Sequence, residues 1–362
     1  MFQKRFTAPT YLLALLTGLV LLAGCIAPVA SPAPSTANPA PAASAANAQT
    51  GRTVYPLTIT GCGGHTSTFK AAPKTTVTLD AQAYELMFWL GLGQQQIAAG
   101  PQPLPAVPDQ FKEQTKTVKT IAKGDTAYPA KEALIAAQPD FVYGSYQSGF
   151  NGETVFSEDE WAAKGVNTYW SLGIGGCQGD ATAVRTDLAS VLKDIENLGQ
   201  IFDIQERASA LINQLKSDLE TAKTAVGNGP QLRVATFEPG EYSDGKPGVY
   251  GAKSTVNAII TLAGGVNAFA DLPDAYVQSN WEEYIKRDPE EILIIAYPAA
   301  VPQAWEDGEK LLSEMPALQN VPAVKNKRFV RVTFPEVGAG GVRNVEAVKK
   351  LAKALAETTG AH

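Results

Sequence analysis

The chain has 362 residues, 45% hydrophobic and 18% charged, with a formal net charge of -6, a composition typical of globular proteins. The acidic balance, without a basic stripe, excludes nucleic acid as a partner, because phosphate binding needs clustered Lys and Arg. With only two histidines, His65 and His362, a complete zinc or haem site would lack soft ligands, so no resident metal or cofactor is expected.

Lys4 and Arg5 form a short basic start, and Tyr11 to Ala23 form an apolar run followed by Gly24 and Cys25. That pattern predicts a secretory signal over 1–24, and the run is too short to remain as a spanning helix. Leu22, Ala23, Gly24 and Cys25 resemble the bacterial lipobox, which implies cleavage before Cys25 and a lipid on its thiol. Residues 26–50 are almost wholly Ala, Pro, Ser, Thr and Asn and offer no apolar face to bury, so 25–54 reads as a lipidated cysteine plus a tether. Cys62 and Cys177 remain for an oxidising compartment, where a disulfide is the default expectation. Metal ligation by Cys62, His65 and Cys177 is the sharper alternative, and free thiols are a third.

From Tyr55 onward short apolar strands alternate with amphipathic helices, the signature of an α/β fold with mainly parallel sheets. A first lobe, 55–202, carries a strand at 75–79, a helix at 82–92 closed by Gly93, a helix at 130–138 ended by Pro139, and a strand at 140–143. Ser157 and Glu160 have capping-box spacing for a short helix stopping at Gly165, ahead of a strand at 166–170. The span 181–226 reads as helical with an interruption near 197–199. Asp203 and Glu206 open its second part as a capping box, and Ala208, Leu211, Ile212, Leu215, Leu219 and Ala222 share one face. This helix, 203–226, is expected to join the lobes as a rod, although the same pattern suits an ordinary surface helix. The second lobe, 227–362, carries strands at 232–237, 292–295 and 328–334, with helices at 255–262 and 345–356. The halves echo one another: Glu132 precedes Pro139 by seven residues and Glu282 precedes Pro289 by seven, each at the start of a short helix leading into a strand.

This order of signal, lipobox, tether, lobe, long helix and lobe resembles the periplasmic-binding-protein family for iron siderophores and cobalamin. The segments APKTTVTLDAQAYELMFWLGLG, KEALIAAQPDFVYGS, AGGVNAFADL, SNWEEYIKRDPEEILI and GAGGVRNVEAVKKLA carry the resemblance. Thr75 and Thr76 stand where that family more often has Arg-Val. The resemblance implies a class III fold: two Rossmann-like lobes with mainly parallel sheets joined by a single long α-helix. It also implies a monomeric substrate-binding lipoprotein of an ABC importer, held by its lipid at the outer face of the cytoplasmic membrane. Glu132 and Glu282 correspond to the family's permease-docking glutamates; the alternative is that each only stabilises its own helix.

Ligands of such proteins sit at the carboxyl ends of the strands. Tyr84, Tyr143, Tyr146, Gln147 and Trp170 are offered by the first lobe, and Tyr242, Tyr250, Trp281, Tyr297 and Arg343 by the second. Glu238 shares the loop that carries Tyr242. Large amphipathic rings suit a ferric siderophore or similar metal chelate, and Arg343 could pair with an acidic ligand or stack on a flat one. Cobalamin, haem and a deazaflavin coenzyme precursor are alternatives. A ligand-sensing lipoprotein without transport stays open, whereas an enzyme is disfavoured because no nucleophile elbow or phosphate loop is present.

Overall fold

β-Branched and aromatic residues bounded by Gly, Pro and Asp set the strands of the first lobe. In the computed structural model, which describes residues 51–100, 107–121, 128–173, 185–227, 229–297, 300–338 and 340–360, β1 (Leu57–Thr60) and β2 (Thr66–Phe69) pair as an antiparallel hairpin. There follow β3 (Thr76–Thr78), α1 (Ala81–Trp89), β4 (Gln96–Ala98), α2 (Lys112–Thr115), β5 (Lys119–Thr120), α3 (Lys131–Ala136), β6 (Phe141–Gly144), α4 (Glu158–Ala162) and β7 (Asn167–Trp170). The five strands after the hairpin form a wholly parallel sheet in the order β5-β4-β3-β6-β7. Asp80 caps α1 by accepting from the Ala83 N–H at 2.8 Å. The helix stops at Leu90 and turns at Gly91 with φ +70, two residues before the expected stop at Gly93. The Ser157–Glu160 capping box is present in both directions.

The connecting region corrects two expectations. α5 (Ala189–Ile201) runs through 197–199 without interruption, and the break falls at 202–204, ahead of α6 (Gln205–Val226). Asp203 does not cap α6; it sits at φ +57 and accepts from the Thr53 N–H at 2.6 Å and from Arg52, pinning the start of the folded chain. α6 has 22 residues, about 33 Å at the standard helical rise. Ala208 and Leu215, with Leu211 and Ile212 beside them, pack into the first lobe's core, while Ala222 and Val226 pack into the second's. Leu219 touches both. One apolar stripe therefore serves two cores, as a rod requires.

The second lobe follows with β8 (Arg233–Phe237), β9 (Gly248–Tyr250), α7 (Thr255–Leu262), β10 (Val266–Asn267), β11 (Tyr276–Gln278), α8 (Trp281–Lys286), β12 (Glu291–Ala296), α9 (Gln303–Glu314), α10 (Pro322–Lys325), β13 (Phe329–Thr333), α11 (Phe334–Val337) and α12 (Asn344–Thr359). Its main sheet is again parallel, ordered β10-β8-β12-β13, and β9 and β11 form a separate antiparallel pair. β12 is buried along its whole length, which is why it reads as an uninterrupted apolar run.

The echo between halves has a physical basis. α3 and α8 each end at a left-handed residue, Gln138 (φ 50) and Asp288 (φ 49), followed by proline and a carboxylate. Asp140 accepts from the Lys74 and Thr75 N–H groups at 2.8 and 2.9 Å. Glu290 accepts from the Arg233 N–H at 3.0 Å. In both lobes this carboxylate clamps the helix exit to the entry of the lobe's first parallel strand.

Gly199 lets α5 approach α6, since a Cβ there would lie 2.5 Å from the Ala208 Cβ. Gly199→Ala gains about 1 kcal/mol of helix propensity but overpacks the contact by roughly 1–3 kcal/mol. A net loss in urea denaturation is expected; a higher midpoint would show that the two helices are not closely packed.

Candidate functional site

The loops leaving the carboxyl ends of both parallel sheets converge between the lobes. From the first lobe, Tyr146 follows β6, where the Ser145 N–H donates to the buried Asp80 carboxylate and so ties the ends of β3 and β6 together. From the second, Glu238 follows β8, Tyr297 follows β12 and Phe334 follows β13. With Tyr250 and Tyr276 from the antiparallel pair, and Glu241, Ser254, Thr255 and Val337, they enclose a cavity of about 400 Å³. That volume lies within the range of small-molecule sites, about 300–1,000 Å³.

The walls are aromatic with hydroxyl tips. Tyr297, 39% exposed, stacks on Phe334 with centroids 4.7 Å apart. Tyr250 meets Tyr276 edge-on at 5.3 Å and donates its hydroxyl to Glu238 Oε2 at 2.7 Å. Burial raises the pKa of Tyr146, Tyr250, Tyr276 and Tyr297, and nearby carboxylates reinforce the shift: Asp80 for Tyr146, and Glu238 for the other three. These phenols therefore stay protonated and act as hydrogen-bond donors or acceptors. Burial likewise raises the Glu238 carboxyl.

A second contact between the lobes lies beside the cavity. Arg343 pairs with Glu85 of α1 at 2.9 Å, both side chains about nine-tenths buried, and Trp89 Nε1 donates to Glu85 Oε1 at 3.1 Å. Burial pushes the Glu85 carboxyl up to about 7, with Arg343 opposing the shift. Arg185, just before α5, crosses to the second lobe: its N–H donates to Ala252 O at 2.9 Å and its carbonyl accepts from Asn257 at 2.6 Å.

The structure brings together only part of the expected set. Tyr146, Tyr250 and Tyr297 line the cavity. Tyr84 and Tyr143 are core residues, each 1% exposed: Tyr84 packs edge-on against Phe88, and Tyr143 sits between Phe141 and Tyr169 inside a sheet covered on both faces. Gln147 is exposed outside the cavity wall. Trp170 packs toward Phe150, and Tyr242 and Trp281 pack on Phe237 and on each other. Arg343 faces Glu85 rather than the cavity. Tyr276, Phe334 and Glu241 are site residues beyond the expected set: Phe334, expected to end a strand, opens α11, and Tyr276 lies on β11, for which the sequence reading names no element.

Glu132 and Glu282 stand exposed in the first turns of α3 and α8. His65 faces Asp159 at 3.4 Å, and among the described residues no three His, Cys, Asp or Glu side chains are grouped to hold a metal. Cys62 is buried, while Cys25 and Cys177 lie outside the described residues.

Comparison with known proteins agrees with this architecture. A family model described as "Periplasmic binding protein" matches residues 85–336. The chain is 25% identical over 349 residues to an uncharacterized ABC transporter substrate-binding lipoprotein, YvrC, of Bacillus subtilis, covering 94% of this chain and 95% of that protein. A periplasmic binding protein from Veillonella parvula superposes with a TM-score of 0.68 at 24% identity, over 82% of this chain and 96% of that one. An ABC-type Fe3+-hydroxamate transport system protein from Saccharomonospora viridis does so with a TM-score of 0.67 at 20% identity, over 83% and 99%. These likenesses show the class III fold.

The Glu85 shift has a testable sign. A carboxyl whose folded pKa is raised from 4.5 to about 7 contributes stability that is full below about pH 4.5 and lost as pH rises through 7. The stability difference between the native chain and Glu85→Gln is therefore expected to shrink by roughly 3 kcal/mol between pH 4.5 and 8. Denaturation at several pH values measures it, and a difference that grows with pH would mean the ion pair outweighs burial.

Proposed function

The chain belongs to the periplasmic binding protein family, and on that premise we propose that it captures a metal chelate, of the ferric siderophore class, in the cavity between its lobes. The supporting observation is the wall itself: Tyr146 of the first lobe, with Tyr250, Tyr276, Tyr297 and Phe334 of the second, around a space suited to a small molecule. Rigid rings with polar tips give a large contact area at low entropic cost. A ligand touching both walls bridges the lobes and stabilises one inter-lobe arrangement by its differential contacts.

Delivery would be to an ABC permease and its ATPase. Glu132 and Glu282 are exposed carboxylates at positive helix ends, one on each lobe, and suit two basic pockets on a membrane partner. The chain would act as a lipoprotein anchored through Cys25 outside the cytoplasmic membrane, in line with its similarity to a curated lipoprotein. Among the described residues no helix is long and apolar enough to cross a membrane. In that oxidising setting buried Cys62 would pair with Cys177.

Intrinsic tryptophan fluorescence, titrated with ferric hydroxamates, ferric catecholates, cobalamin, haem and free zinc or manganese, tests the ligand class. A ferric chelate is expected to saturate the protein at micromolar concentration or below, a free energy of about -8 kcal/mol or better. Tyr146→Ala and Tyr297→Ala should each weaken it about tenfold or more. Saturation by a free metal with no response to any chelate would sink the reading.

Glu132→Ala with Glu282→Ala should abolish cellular uptake while leaving ligand affinity within about twofold, because both side chains lie outside the cavity wall. Lost affinity would remove the docking role. The mass of the mature protein, with and without reduction, checks the diacylglycerol on Cys25 and the 62–177 bond in the same preparation.

A further inference from the structure

We propose that Glu238 recognises a positively charged group on the ligand, so that the cavity selects cationic chelates over uncharged and anionic ones. This rests on the chelate reading above and narrows it. Glu238 is fully buried, 0% exposed, in the cavity wall at the end of β8. Its Oε2 accepts from the Tyr250 hydroxyl at 2.7 Å. Its Oε1 is also buried, and although the Tyr297 hydroxyl lies beside the carboxylate, no hydrogen bond of ordinary geometry reaches that oxygen from the described residues. A buried carboxylate oxygen without a donor is costly, and a ligand that supplies one recovers that cost on binding.

The charges around the cavity point the same way. Glu241, also in the wall, adds a second carboxylate within 3.5 Å of the Tyr297 hydroxyl. No Lys or Arg lines the cavity among the described residues. Arg343, the nearest candidate in the sequence, is held by Glu85, and Arg185 Nε donates to the Lys253 carbonyl at 2.9 Å. An anionic ligand would enter beside two carboxylates with no counter-charge among the described lining residues, whereas an ammonium group would meet a buried partner and form the stronger, charge-assisted kind of hydrogen bond. Burial raises the proton affinity of Glu238, and an adjacent cation favours its ionised form.

The experiment uses a matched pair of probes: the ferric complex of desferrioxamine B, a linear trihydroxamate with a terminal ammonium, and the same complex N-acetylated at that amine. Both are titrated into the native chain and into Glu238→Gln, together with their metal-free forms. The native chain should bind the ammonium complex at least about tenfold more tightly than the acetylated one, the scale of one charge-assisted hydrogen bond. Glu238→Gln should bring that ratio close to one, and Tyr250→Phe, which frees Oε2, should change it while the chain stays folded by thermal melting.

Equal affinity of the native chain for both ferric complexes overturns the inference and leaves the chelate reading intact. A preference that survives Glu238→Gln overturns it as well. If the metal-free ammonium form binds as tightly as the ferric one and keeps its advantage over the acetylated form, the inference stands and the chelate reading falls. Failure of every ammonium-bearing probe to bind counts against the inference.

Discussion

A single helix has to satisfy two hydrophobic cores at once, and most of the architecture follows from how α6 does so. Its first three turns present Ala208, Leu211, Ile212 and Leu215 to one lobe, its last presents Ala222 and Val226 to the other, and Leu219 is shared. A helix buried at both ends on the same face cannot bend or slide without exposing apolar surface, at about 25 cal/mol for each Å². α5 and α12 pack along it, so the lobes are carried on a stiff axis. The cavity then opens where the strand ends of the two sheets face each other across that axis.

The site is polar in an unusual way for a chamber walled by rings. Tyrosine hydroxyls share its hydrogen-bonding capacity with Ser254, Thr255 and the carboxylates, and the formal charge within its wall, among the described residues, comes from Glu238 and Glu241. The one arginine that sequence reasoning favoured is spent on Glu85, in a contact that joins α1 to the start of α12. Replacing either member would leave a charge buried alone, which is why such pairs are strongly coupled even when their net contribution is small. Recognition and lobe contact thus use neighbouring but separate charges.

Much of the fold is legible in the sequence because it depends on periodicity. The buried run of β12 and the stripe of α6 are visible without coordinates, and so is the Ser157–Glu160 box. The break at 202–204 is not, because Gly199 suggests a helix stop, whereas its role is to admit Ala208. Asp203 has the spacing of a cap but is drawn to Thr53, a partner 150 residues away. The site is harder still. Tyr143 and Tyr146 are three residues apart, yet the first lies within a strand covered on both faces and the second just beyond its end. Phe334 was missed for the converse reason, because α11 begins at a residue that still continues the strand's sequence pattern.

The matched carboxylate clamps, Asp140 in one lobe and Glu290 in the other, fasten α3 and α8 to their own sheets. Each helix therefore moves as one body with its lobe, and the span between Glu132 and Glu282 depends on the inter-lobe angle alone. That span works as a caliper on the outside of the molecule. A partner that gripped both tips at once would register any change in that angle without touching the cavity.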